Sequence, residues 1–103
     1  LLLEHGRRDE ATAVLRQAVE IAPSNTALVT LARLALDRDD LPSAAEYLRQ
    51  AERITPDDPY VGYNLAVLAD KRGDRAGAIR RLEQVLVRNP EFRLARDGLA
   101  QIR

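Results

Sequence analysis

The sequence predicts an all-α protein built as a stack of antiparallel helix–turn–helix repeats. Three observations predict it. Pro23, Pro56 and Pro90 recur at 33- and 34-residue spacing, and a fixed period of that size marks a repeat architecture. Apolar residues fall at helical spacing inside each unit: Ala78, Ile79, Leu82, Val85 and Leu86 form one stripe, and Ala44, Ala45, Leu48, Ala51 and Ile54 repeat it. No stretch alternates with period two, so no strand is expected.

Columns aligned at the same offsets confirm the repeat. Ala11, Ala44 and Ala78 align, as do Leu15, Leu48 and Leu82, and then Ala18, Ala51 and Val85. Leu31, Leu65 and Leu99 align, each followed by alanine, and Leu1, Leu34, Leu68 and Ile102 form a further column.

In chain order, a remnant helix is expected at 1–5, ended by Gly6, followed by a helix near 9–22. A pair follows at 25–38 and 41–55, with Leu28, Leu31, Ala32, Ala35 and Leu36 as the stripe of its first member. Asp39 stands where Gly6 and Gly73 stand in other copies. A left-handed residue is required there, and aspartate adopts it with some strain. The next pair is expected at 59–72 and 75–89. Asp58 before Pro59 reads as N-cap and first helical position, and Asn89 before Pro90 reads the same way. Asp40 and Asp74 read as caps of the second helices. A last helix is expected from about 91 to 103. The organisation is one domain, 1–103: a partial repeat 1–24, repeats 25–58 and 59–92, and a terminal capping helix at 91–103.

Composition narrows the function classes. The chain has 103 residues, 16 basic and 16 acidic, so no net field draws it to nucleic acid or an anionic membrane. It has no cysteine, which excludes disulfides, thiolate metal sites and cysteine nucleophiles. Its apolar runs are too short to span a bilayer as a helix, and no membrane insertion is expected. Lys71 is the only lysine among the 16 basic residues, a composition common in GC-rich bacterial genomes. Leu1 stands where an initiator methionine would, and Leu1, Leu2 and Leu3 are too few for a signal segment. The compartment stays open between cytoplasm and periplasm.

The run Val61-Gly62-Tyr63-Asn64-Leu65-Ala66, followed by Gly73-Asp74, Ala78, Leu82 and Pro90, resembles the tetratricopeptide repeat family. The resemblance covers essentially the whole chain and implies a right-handed superhelical α-solenoid. Some slots depart from the family pattern. Its bulky position holds Leu28, Gly62 and Arg96, and the position often occupied by tyrosine holds Leu2, Ala35 and Ala69. Gly62 within a helix costs about 0.8–1 kcal/mol against alanine.

The resemblance implies a non-catalytic scaffold that holds a protein or peptide on the concave groove lined by the first helix of each hairpin. Carried onto this chain, the ligand-facing residues are Val29, Arg33 and Leu36, then Tyr60, Tyr63, Asn64, Val67 and Lys71, and Asp97 from the last helix. Thr26, Asp37, Asp70, Leu94 and Gln101 flank them. Two readings stand for Asn64: ligand contact, or an amide tie between helices. Two also stand for Arg33: ligand contact, or an ion pair with Asp37 or Asp70. The carboxylate clamp of a chaperone-tail-binding subfamily is absent, because Val29 and Arg33 occupy its first lysine and asparagine slots and Leu94 and Gly98 its last basic pair. An alternative function is an accessory module of a larger protein, used for self-association or intramolecular packing. The N-terminal edge at Leu1, Leu2 and Leu3 is expected to dock either on another copy, giving a homo-oligomer, or on sequence outside the given chain.

No catalytic, metal or cofactor chemistry is expected. His5 is the only histidine. Ser24 and Ser43 lie near helix starts, where serine caps. The five glycines are scattered and make no phosphate loop. Arg80, Arg81 and Arg88 form a basic strip on a second helix, but Glu83 interrupts it and no aromatics interleave, so nucleic-acid binding is not expected.

Overall fold

The structure, a computed structural model, describes residues 2–22 and 24–102, with side chains described from residue 7 onward. The edge expected at Leu1, Leu2 and Leu3 therefore lies outside the described side chains, as do His5 and Pro23. Among the described residues the chain forms six helices and no strand: α1 (Leu2–Ile21), α2 (Asn25–Asp37), α3 (Leu41–Ile54), α4 (Pro59–Lys71), α5 (Arg75–Arg88) and α6 (Arg93–Ile102). Each packs on its sequence neighbour, and α2 also packs on α4, as a stack of hairpins requires.

Side-chain caps fix most of the boundaries. Ser24 accepts from the Ala27 amide at the start of α2, Asp58 from Tyr60 at α4, and Asp40 and Asp74 from Ser43 and Gly77 at α3 and α5. Ser43 is thus the third residue of its helix and not the cap itself. The turns within both hairpins need a left-handed residue, supplied by Asp39 (φ 58°) and Gly73 (φ 85°). In each turn the residue that follows returns a backbone bond to the helix just ended: Asp40 N–H to Ala35 O and Asp74 N–H to Ala69 O, both 2.8 Å. At the far end of the stack, Arg75 donates through Nε (3.0 Å) and Nη2 to the Ile102 carbonyl, satisfying an otherwise open acceptor at the end of α6.

Two expected boundaries are corrected. The break at Gly6 is absent, and α1 runs unbroken from Leu2 through Gly6 to Ile21. A five-residue helix cannot hold itself. Continuing the hydrogen-bond ladder through Gly6 costs only about 1 kcal/mol. Asn89 does not open the last helix: it ends α5, where its N–H meets Val85 O at 2.9 Å, and Pro90 and Glu91 form the turn before α6 starts at Arg93. Pro90 is the repeat partner of Pro56, which also sits in a turn, so it is Phe92 that stands where Asp58 stands.

The core is a chain of three clusters running along the stack. Leu28, Val29, Ala51 and Val61 form one, with Val19 packed against it from α1. Ala32, Ala35, Leu36, Ala44, Ala45, Leu48 and Leu68 form the next, and Ala66, Ala78, Leu82, Val85, Ala95 and Leu99 the last. Each joins one hairpin to the first helix of the next, so every repeat is stabilised by its neighbour. The first repeat is also tied by polar contacts: Arg38 Nη1 donates to Thr12 Oγ1 (3.3 Å) and Arg16 Nε to the Tyr47 hydroxyl (3.1 Å).

The second hairpin explains Gly62. A Cβ built there would lie 2.5 Å from Val85 Cγ2. At the same register of the first hairpin, Leu28 meets Ala51 in one cluster. The bulk sits on α2 in one copy and on α5 in the other, and the missing side chain of Gly62 makes room for Val85.

Candidate functional site: the groove of the first helices

Helices α2, α4 and α6 share one face of the stack. Residues four apart on a helix point the same way, so Val29, Arg33 and Leu36 line up on α2, and Tyr60, Asn64, Val67 and Lys71 on α4. The structure brings these together with Tyr63, Asp37 and Leu94 around a depression of about 310 Å³. Eight of the nine residues expected at the groove share its wall. The ninth, Asp97, is exposed on α6 and does not join that wall.

The floor is apolar and packed. Val29 and Leu36 are buried, and Tyr63 and Val67 are half-buried. Tyr60 rises from the rim, 53% exposed, and its ring meets Phe92 edge-on at 5.1 Å. That pair joins α4 to the segment leading into α6, and an edge-to-face geometry is the favoured one for two aromatic rings. Two further depressions flank the first. One of about 230 Å³ lies at the start of α2 between Thr26, Thr30, Asn25 and Asp58. The other, of about 650 Å³, is lined by Tyr63, Asp70, Gly73, Arg75, Gln101 and Ile102.

The two open readings resolve differently. Asn64 is 3% exposed, and its Nδ2 donates to Tyr60 O at 2.8 Å. The amide therefore bonds back along its own helix and does not tie two helices together. Arg33 is exposed, and among the described residues it pairs with neither Asp37 nor Asp70. Lys71 is engaged: its Nζ lies 3.0 Å from Asp39 Oδ1 in the preceding turn. That pair is solvent-exposed and contributes at most about 1 kcal/mol. Arg33 is thus a groove cation that no carboxylate engages among the described residues.

Sequence reasoning missed Phe92 and the Asn25–Asp58 contact, where Asn25 Nδ2 donates to Asp58 Oδ2 at 3.1 Å across the repeat boundary. A signal for Phe92 was present: it is the repeat equivalent of Asp58, which caps beside Tyr60. On the opposite face, Arg81 pairs with Glu52 (3.2 Å) and Arg88 with Asp57 (3.3 Å), so two arginines of the basic strip are spent on neighbouring carboxylates. No three His, Cys, Asp or Glu side chains among the described residues come together in a way that could hold a metal ion. No helix there is long and apolar enough to cross a membrane.

A stack of short antiparallel hairpins with an open groove of first helices defines a helical repeat scaffold. The tetratricopeptide repeat profile matches residues 2–68 and again residues 35–102, and the chain belongs to that family. The two overlapping matches step along the chain by one repeat, as the columns do. No curated protein matched the chain. Tetratricopeptide repeats are a non-catalytic scaffold family whose general role is protein–protein interaction.

Proposed function

We propose that this chain binds a peptide segment of a partner protein along the groove of α2, α4 and α6. The observation that supports it most is the wall shared by Val29, Arg33, Leu36, Tyr60, Tyr63, Asn64, Val67 and Lys71. An apolar floor with tyrosines at its edge and an uncommitted arginine is the composition that interfaces favour. The floor supplies contact area, and Arg33 supplies a planar fork for a ligand carboxylate or backbone carbonyl.

The test is a displayed-peptide selection against the folded domain, followed by NMR mapping. Selected peptides should shift amides of α2, α4 and α6, and Arg33→Glu with Val67→Asp should abolish binding while circular dichroism is unchanged. Shifts confined to α3 and α5, or binding untouched by the double variant, would overturn the assignment.

One observation favours a second reading, an accessory module that packs on itself or on other parts of a longer chain. Val14 is 64% exposed and Ile21 86% exposed, about two turns apart on one face of α1. Large apolar side chains left this bare on one helix face are characteristic of an interaction surface.

A further inference from the structure

The two complete hairpins differ in charge on one face. Leu65, Leu68 and Arg72 fall on one side of α4 at helical spacing, and Arg80, Arg81 and Gln84 fall on one side of α5. Together they line a cavity of about 520 Å³ that shares no residue with the peptide groove. Leu68 is buried and Leu65 half-buried, while Arg72 and Arg80 are exposed. The cavity therefore has an apolar base and a cationic wall.

The internal repeat shows how the same positions are satisfied elsewhere. In the first hairpin the counterparts of Arg72, Arg80 and Arg81 are Arg38, Glu46 and Tyr47. Each has a partner inside the fold. Arg38 donates to Thr12 Oγ1 at 3.3 Å, Glu46 accepts from Arg49 at 2.9 Å and Gln50 at 3.3 Å, and the Tyr47 hydroxyl accepts from Arg16 at 3.1 Å. One repeat further on, Ala45 stands at the position of Thr12 and offers Arg72 no acceptor. Arginine replaces the glutamate and the tyrosine, so the face gains two charges at Arg80 and one at Arg81. Neither Arg72 nor Arg80 is in an ion pair among the described residues, and Arg81 gives only Nη1 to Glu52, at 3.2 Å. Asp74, the carboxylate in the lining, is already engaged in capping α5, where it accepts the Gly77 amide at 2.9 Å.

We propose that this cavity binds a phosphate monoester, carried by a small phosphorylated molecule or by a phosphorylated side chain of a partner protein. A carboxylate has two oxygens in one plane, and a single guanidinium fork saturates it. A phosphate monoester carries about two negative charges and three strong acceptor oxygens, which suits three arginines on one wall. Leu65 and Leu68 give the apolar body next to the phosphate a surface to lie on. The site fits one such group and not a long polyanion. Past Arg81 the adjoining depression is lined by Glu52, Asp57 and Asp58, which end the positive wall.

NMR titration of the chain with phenyl phosphate tests this, with benzoate at matched ionic strength as the comparison. Phenyl phosphate should give saturable amide shifts at Arg72, Gly77, Arg80, Arg81 and Gln84, with Kd at or below about 1 mM, and benzoate should bind about tenfold more weakly. Arg72→Gln with Arg80→Gln should weaken phenyl phosphate by about tenfold or more, since two charge-assisted bonds are lost. Should that pair disturb the helices, Arg80→Glu alone, which places there the type that α3 carries at Glu46, should abolish binding. A peptide bearing one phosphoserine separates the two sources: binding tighter than phenyl phosphate assigns the site to a modified partner, and binding no tighter assigns it to a small phosphorylated molecule. The proposal is overturned by the absence of saturable shifts up to about 10 mM, by benzoate matching phenyl phosphate, or by binding that both variants leave intact. Arg33→Glu should not change phosphate binding, which separates this outcome from that of the peptide groove.

Discussion

Gly62→Ala should destabilise the protein, although a helical glycine replaced by alanine ordinarily stabilises. The added Cβ would lie 2.5 Å from Val85 Cγ2, whereas carbon atoms pack at about 3.5–4.0 Å. More than an ångström must be recovered. Val85 is 7% exposed within the last core cluster, and a β-branched side chain in a helix has one strongly preferred rotamer. Relief therefore comes from turning Val85 out of its rotamer or from parting α4 and α5. Overpacking of this kind costs about 1–3 kcal/mol. The gain in helix propensity returns about 1 kcal/mol. The net is about 1 kcal/mol of lost stability, which for a domain of this size lowers Tm by roughly 4–8 °C. Urea unfolding followed by circular dichroism reads it directly. Val85→Ala should remove the clash, so Gly62→Ala in that background should stabilise by about 1 kcal/mol. The double-mutant cycle should then show a coupling near 2 kcal/mol. Gly62→Ala stabilising the unaltered protein by about 1 kcal/mol, with no coupling to Val85, would refute the reasoning.

Four further outcomes are expected. Asp74→Ala removes the acceptor for the Gly77 amide at 2.9 Å and should cost about 1 kcal/mol in urea unfolding, with Asp74→Asn largely retaining it. Gly73→Ala should lose about 1 kcal/mol, since its φ of 85° is unfavourable for any side chain. Asp39→Gly, at the matching turn, should gain a few tenths of a kcal/mol in the same measurement, the relief of φ 58° outweighing the exposed pair with Lys71. Asp40 is held below the ordinary carboxylate range, chiefly by its hydrogen bond with the Ser43 side chain. A carboxyl lowered in the folded state stabilises above its unfolded pKa, and that contribution fades as pH falls through the folded value. Asp40→Asn should therefore flatten the acid limb of a stability–pH curve measured by urea unfolding, lying slightly below the unaltered protein at neutral pH and converging with it in acid.

Much of the fold was legible because the repeat encodes it locally. A proline-marked period, an apolar stripe and a cap at each start are one-dimensional signals, and Ser24, Asp40, Asp58 and Asp74 cap where their types and positions predict. The groove residues came from the resemblance, and helical spacing agrees with it by putting Val29, Arg33 and Leu36 on one side of α2. The misread places are those where a local signal competes with its surroundings. Gly6 carries the turn signal of Gly73, but a turn persists only when helices on both sides of it are packed, so α1 runs straight through. Asn89-Pro90 carries the start signal of Asp58-Pro59, but the repeat register makes Pro90 the partner of Pro56.

The sequence by itself determined the helical class, the number and order of the helices after Gly6, most of their caps, and the faces that come together. Those follow from spacing and backbone chemistry, which act within a few residues. Tertiary structure alone decided how the faces are used. It set Gly62 against Val85, turned Asn64 back onto Tyr60, gave Lys71 to Asp39 and left Arg33 to solvent. Distances between helices fix the Gly62–Val85 and Lys71–Asp39 contacts, which depend on which side chains of separate elements meet, and burial of Asn64 on the packed face of α4 leaves its amide to bond back along its own helix.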